Sequence, residues 1–469
     1  MFRRRWSGLP EDPVFPADLK ELGYFVDPES DEIRLISNPS YYFNYFISKN
    51  VRYNDRQRFA FTAAIQDQLI YPRLETLGLV RVPLPLGTPT DKAHAPIYIS
   101  HNLKHKKRVV VIFGESEQEL GIIAHRVLGG KGGVDEGSMV GIVRALQGQK
   151  QERSGSEEKK KENEENDDDY GGGDGDDGSP GIVLANTGEL WWWPEGKRGL
   201  SPRQSQAVPM KSCVHLGRFY DAAVNAIPEN VYVDQHVGCV FKSVLDNPDL
   251  VGAGAEIQVV GVADGAVAAE TYLHQNWEHW ADRIGCLAML GSAADYTSLK
   301  SEGFRLFLKE KARLYITCHE PVDTAISGPE GNPNTTLYTS YGCPVFSSGE
   351  KFYIEMTLIK AKDVVLPWLE EVYKTGKNYT NPELNVTFAD EHFEETPAWG
   401  NDPGLVGSVG GGGGGGQAGH GHGYQGRQGN GGLEIITREE WEARMKKEGK
   451  ENTPVPDDVF VVDKPKGED

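Results

Sequence analysis

Cysteine is scarce in this 469-residue chain. The five cysteines (Cys213, Cys239, Cys286, Cys318 and Cys343) form no CxxC pair, and an odd number does not close a disulfide framework. Long apolar runs are missing: nothing approaches the ~18–20 residues that cross a bilayer. The basic start Met1–Trp6 leads into Leu9-Pro10-Glu11-Asp12 rather than an apolar segment, so no secretory leader is expected. The Asn-x-Ser/Thr triplets at Asn334, Asn378 and Asn385 then read as chance matches. Positive charge is also in deficit, with 49 Lys+Arg against 69 Asp+Glu and a net charge of −20. A protein that grips nucleic acid by neutralising phosphates has the opposite balance. These absences point to a protein of the cytosol or nucleus, with no membrane span and no nucleic acid as its first partner.

Glycine and acid are plentiful, but unevenly placed. Residues 151–180 carry 12 acids and 4 bases, and residues 400–469 carry 12 acids and 8 bases. Residues 404–432 contain 16 glycines, seven of them in the run Gly410–Gly416. That composition predicts a Gly-rich linker over 400–432, followed by a charged tail, 433–469, with one short helix within Leu433–Lys450. The acidic run at about 150–180 lies between a helix pattern, Ser138–Gln147, and a strand pattern, Gly181–Asn186. It reads as a disordered surface insertion, because lengthening a loop costs little entropy. What remains is an N-terminal extension, 1–19, and one globular domain, 20–390.

Within that domain short β-branched runs alternate with helical patterns. Arg108–Gly114, Ile182–Ala185, Ile257–Val262, Arg283–Leu290 and Leu314–Cys318 read as strands. Glu117–Leu128, Tyr232–Leu245 and Ala266–His274 read as helices. Apolar strands alternating with helices predict an α/β protein with a mostly parallel sheet.

The most informative motif is Gly261-Val262-Ala263-Asp264-Gly265, between an apolar strand and a small-residue helix. It has the spacing of the G-x-S-x-G nucleophile elbow, whose glycines permit a sharp turn beneath the central side chain. Here the central residue is Ala263, which has no hydroxyl, and Asp264 is one place late. The loop after Leu314–Cys318 holds Glu320 and Asp323, where a triad acid would stand. The loop after the last strand reads Ser347-Ser348-Gly349-Glu350-Lys351-Phe352-Tyr353, with Phe352 and Tyr353 near the place of the triad histidine. A Ser-His-acid device needs all three parts together, so catalysis by this route is not expected. The alternative is a residual esterase-like serine hydrolase with a non-standard nucleophile such as Ser347 or Ser348, served by His215, His236 or His319. No metal or cofactor motif stands out. Gly252-Ala253-Gly254-Ala255 precedes a strand rather than following one, Gly129–Gly133 lacks phosphate-loop spacing, and His420-Gly421-His422 sits in the glycine tract. Trp191-Trp192-Trp193 reads as core packing or a protein-docking patch, and His101–Arg108 as a local basic stretch.

In several ordered stretches the chain resembles the Argonaute-binding-protein-two (Arb-two) domain family. They are Leu22-Gly23-Tyr24-Phe25 with Glu32-Ile33-Arg34, Tyr42–Phe46, the helix Arg52–Leu74, and Ile97–Ser100. Asn186–Glu189 with the tryptophans, Glu320–Thr324 and Cys343–Glu350 complete the series. The resemblance implies an α/β-hydrolase-like core, in which some members keep an elbow serine and a late histidine. This chain departs at both places, which implies a pseudo-hydrolase used as a binding scaffold. It further implies a nuclear, and also cytoplasmic, role in fungal-type gene silencing. The partners implied are Argonaute with small interfering RNA, or subunits of a histone deacetylase complex at heterochromatin.

Overall fold

A computed structural model describes residues 8–148, 178–215, 217–335, 340–386, 388–389, 434–437 and 459–462. The chain divides into two units, Met1–His392 and Phe393–Asp469. The acidic run and the glycine tract lie outside the described residues. Within the second unit Glu434–Thr437 is a strand that pairs in parallel with Val459–Val462. The short helix expected within Leu433–Lys450 therefore gives way at its start to β-structure, as suits the β-branched Ile435-Ile436-Thr437.

The first unit is built on nine strands: β1 (Leu79–Leu84), β2 (Ala95–Ser100), β3 (Arg108–Phe113), β4 (Gly181–Leu184), β5 (Glu256–Val262), β6 (Ile284–Leu290), β7 (Ala312–Ile316), β8 (Ala325–Ser327) and β9 (Val345–Ser347). Their order across the sheet is β8-β9-β7-β6-β5-β3-β4-β2-β1. The central run β9-β7-β6-β5-β3-β4 is parallel throughout, while β1, β2 and β8 join antiparallel at the edges. This is an α/β-hydrolase-like sheet, with the chain crossing over between β3 and β4 and stepping outward from β5.

Alternation along the strands explains the layers. On one face Val110, Ile112, Val260, Val262, Ala288 and Leu290 share a core with helices α1 (Val51–Ile65), α2 (Met139–Gly148) and α5 (Thr357–Thr375). On the other face Val109, Val111, Phe113, Val259, Leu287 and Met289 pack with Val233–Leu245, α3 (Asp264–Gln275) and α4 (Glu302–Lys311). Both faces of each central strand are buried, so the period-2 signal vanishes and the runs read as continuously apolar.

Three expectations change. Glu117–Leu128 is not a helix; only His125–Leu128 is helical. The Leu120 amide donates to the Glu189 carboxylate, Gly121 takes φ +82°, and Glu119 turns to His125 and Ser201, so side chains claim the groups a helix would use. The basic stretch His101–Arg108 is divided: Lys106 and Arg108 are buried on Ser179, Gln258 and Glu370, while His101, Lys104, His105 and Lys107 stay exposed. Finally, the described part of the N-terminal extension is packed into the body. Asp12 receives both Arg52 Nε and Nη2 at 2.6 Å, Arg56 lies 3.5 Å away, and all three are nearly solvent-free. Removing one partner of such a buried group leaves uncompensated charge. Asp12→Ala is therefore expected to lower unfolding stability by about 3–5 kcal/mol in urea titrations; a loss within 0.5 kcal/mol, the range of ordinary surface changes, would show the cluster to be inert.

Candidate functional site at the elbow

The turn between β5 and α3 keeps the shape of a nucleophile elbow. Ala263 has φ 50° and ψ −118°, a region costly for any residue with a Cβ. It is 6% exposed, and its amide donates to the Leu290 carbonyl at 2.8 Å. Both motif glycines are sterically required. A Cβ on Gly261 would overlap Ala266, and one on Gly265 would overlap the Phe113 and Gly114 carbonyls. Helix α3 thus lies hard against the end of β3, where an oxyanion-hole loop belongs.

That loop is rich in carboxyl groups. It runs Gly114-Glu115-Ser116-Glu117-Gln118-Glu119, and the Ser116 hydroxyl donates to Asp264, the residue after Ala263. Glu115 is pushed above the usual carboxylate range by burial and by the facing Glu355 and Asp264 carboxylates, and its Oε2 is buried without a partner. Burial also raises Glu117. Developing negative charge wants convergent donors; here it would meet carboxyls. Glu119 behaves differently. Burial alone would raise it, but His125 Nε2 at 2.5 Å and the Ser201 hydroxyl at 2.7 Å hold it down at about 2.

The acid and histidine loops converge on the same carboxyl edge of the sheet. Asp323 is exposed, has φ 67°, and donates its amide to the Ser347 carbonyl at 2.9 Å. The Glu320 carbonyl accepts from Ser347 Oγ at 2.8 Å. Phe352 is exposed and meets the His319 ring edge-on at 5.5 Å. Tyr353 lies under the Arg126 guanidinium, 3.5 Å from its ring centre, and Arg126 also pairs with Glu355 at 2.8 Å. A cation thus stands on the side chain that fills the histidine position. Ser347 and Ser348 are fully buried and bonded to backbone groups, so neither offers an accessible hydroxyl.

Of the three candidate bases, His236 is completely buried. Its Nδ1 meets the Asn230 side-chain oxygen at 2.7 Å, and its Nε2 accepts from the Asn186 amide at 3.0 Å. It ties helix Val233–Cys239 to the end of β4. His215 Nδ1 lies 2.9 Å from Ser212 Oγ, a pair the sequence reading did not single out. The same nitrogen is 3.1 Å from the Ser212 carbonyl, in a local turn, and Ser212 is buried.

The tryptophans are mostly interior. Trp191–Trp193 forms a hairpin with Arg198–Leu200; Trp191 is 8% and Trp192 4% exposed, and Trp193 packs edge-on against Phe59. Of the two roles expected for them, core packing is the one that the burial of Trp191 and Trp192 fits, and neither offers an exposed docking face. Only Trp191 reaches a groove, a cavity of about 880 Å³ that Ser116 also lines, so it adjoins the elbow. Its mouth carries Phe219, 97% exposed, and Tyr232, 67% exposed. The sequence signals overlooked were Phe219-Tyr220 and Val231-Tyr232-Val233, apolar runs in turn-rich chain.

Burial holds the His236 imidazole at about 3, against an ordinary 6.5. The unfolded chain takes up a proton below 6.5 that the fold resists, so this contribution is present above pH 6.5 and lost as pH falls toward 3. Stability measured by denaturant titration should decline over that window by up to about 1.4 kcal/mol per pH unit, and His236→Gln should flatten the decline. An unchanged slope in the variant would assign the acid sensitivity elsewhere.

Comparison with curated proteins and with solved structures returns no match. A family model, the Arb2 domain, matches residues 15–322, from the packed N-terminal segment through both sheet faces and the elbow to the acid loop, stopping short of Cys343–Glu350 and the histidine loop. The chain belongs to the Arb2 domain family.

Proposed function

We propose that this chain is a non-catalytic α/β-hydrolase-like scaffold, a protein-interaction subunit of a silencing complex. Its partners on this reading are an Argonaute/small-RNA complex or a histone-deacetylase-linked heterochromatin complex, and its place is the nucleus, with a cytoplasmic share. Family membership supports the interaction role. The observation that carries the non-catalytic part is Ala263 itself. The strained elbow geometry is retained where no nucleophile stands, beside the carboxyls of Asp264 and Glu115. Strain of about 1–3 kcal/mol persists only where surrounding packing enforces it, so the turn serves the architecture.

One observation favours a second reading, a residual serine hydrolase: Ser212 meets His215, a residue that lines the cavity. A nucleophile needs a base at about 2.6–3.2 Å, and this pair meets that distance. The serine of this pair is buried.

A fluorophosphonate probe separates the two. The expected result is no labelling of the full chain, nor of Ala263→Ser, whose new hydroxyl would have no activating histidine. Stoichiometric labelling at Ser212 would establish the second reading instead. For the interaction role, a tagged copy purified from its own cells should bring down Argonaute or a deacetylase subunit. Repeated purifications that return neither would reject the silencing assignment.

A further inference from the structure

We infer that the 880 Å³ cavity beside the elbow is a binding site for an uncharged, predominantly apolar small molecule, of the acyl-ester or fatty-alcohol kind. Its size falls within the range of about 300–1,000 Å³ typical of small-molecule sites, and its position at the carboxyl ends of parallel strands is where open α/β sheets hold ligands. The walls come from five separate places: the loop after β3 with Ser116, the turn after β4 with Leu190 and Trp191, the helix opening at Pro202, the segment bearing Phe219 and Tyr220, and the start of the helix at Val233. Five converging segments make a shaped cavity rather than a flat patch.

Charge selects among apolar ligands. At the elbow end the lining is Ser116 and Thr187; Ser116 is bonded to Asp264, and Thr187 donates to the Glu115 carbonyl at 3.3 Å. Glu115 and Asp264 flank that end, and among the described lining residues the basic groups are His215 and Arg218, with no lysine. The arginine at its wall, Arg218, is paired with Glu195. A carboxylate headgroup at the elbow end would face these carboxyls across the Ser116 and Thr187 hydroxyls and would lose its water. A neutral ester or alcohol would meet hydroxyls there, while its chain covers Trp191 and Tyr232. The exposed rings at the mouth supply area with little rotamer freedom to lose.

The site stands on the cavity's geometry; only the claim that the ligand stays intact rests on the non-catalytic reading. The test uses the full chain and monodecanoylglycerol below its micelle concentration, with decanoate as the charged comparison. Calorimetry should show saturable 1:1 binding of the ester and at least tenfold weaker binding of decanoate. Val214→Trp, at an exposed lining position, should weaken ester binding at least tenfold, and Phe219→Ala with Tyr232→Ala at the solvent-facing mouth should weaken it severalfold if the first variant does not fold. The ester should be recovered unchanged. Absence of saturable binding, equal binding of decanoate, or indifference to the folded variants would overturn the site. Release of decanoate would overturn the non-catalytic reading while leaving the site in place.

Discussion

The close approach of helix α3 to the ends of β3 and β5 governs the rest of the molecule. Gly261 and Gly265 leave no room for a Cβ against Ala266 and the Phe113–Gly114 carbonyls, and that contact forces Ala263 into its left-handed turn. β5 sits between β3 and β6, buried on both faces, so the turn cannot relax without disturbing the sheet's centre. Packing therefore preserves the form of a nucleophile elbow whatever side chain it presents. Shape and chemistry have come apart at this position.

The surroundings of the turn follow the same separation. Loops after β3, β7 and β9 still converge on the carboxyl edge, as a parallel sheet requires, but their side chains serve other tasks. Glu119 is a buried ion held by His125 and Ser201, and Glu189 is a buried hub receiving Gln66, Asn186 and the Leu120 amide. Glu115 is left half-satisfied beside Asp264. Buried polar groups of this kind are costly unless partnered. Their partners here tie the β3 loop to the tryptophan hairpin, which explains why residues expected to be helical are held in an irregular turn.

Burial also redistributes the aromatic residues. Trp191 and Trp192 are drawn inward because their hairpin closes over Leu200 and Val208 on one side and Leu190 and Ile227 on the other. At the cavity mouth the exposed rings are instead Phe219 and Tyr232. The cavity beside the elbow thus combines a buried tryptophan with a solvent-facing aromatic mouth.

How much could be read from residues alone follows from range. The continuous apolar runs of β3, β5 and β6 announced a buried parallel sheet, because both faces of each strand demand apolar side chains. The spacing Gly261-x-Ala263-x-Gly265 announced the turn and its missing hydroxyl, because two close backbone approaches need two glycines. The ordered motifs pointed to the Arb2 family, and the matched residues bear that out. Burial of Asp12 with Arg52 and Arg56, the interior place of Trp191 and Trp192, and the fate of Lys106 and Arg108 were decided by tertiary structure. So were the meeting of Ser212 with His215 and the cavity between five segments of the chain. Local sequence states what a residue is able to do; which partner it finds depends on chain brought from 40 or 150 positions away, and only the folded sheet brings it.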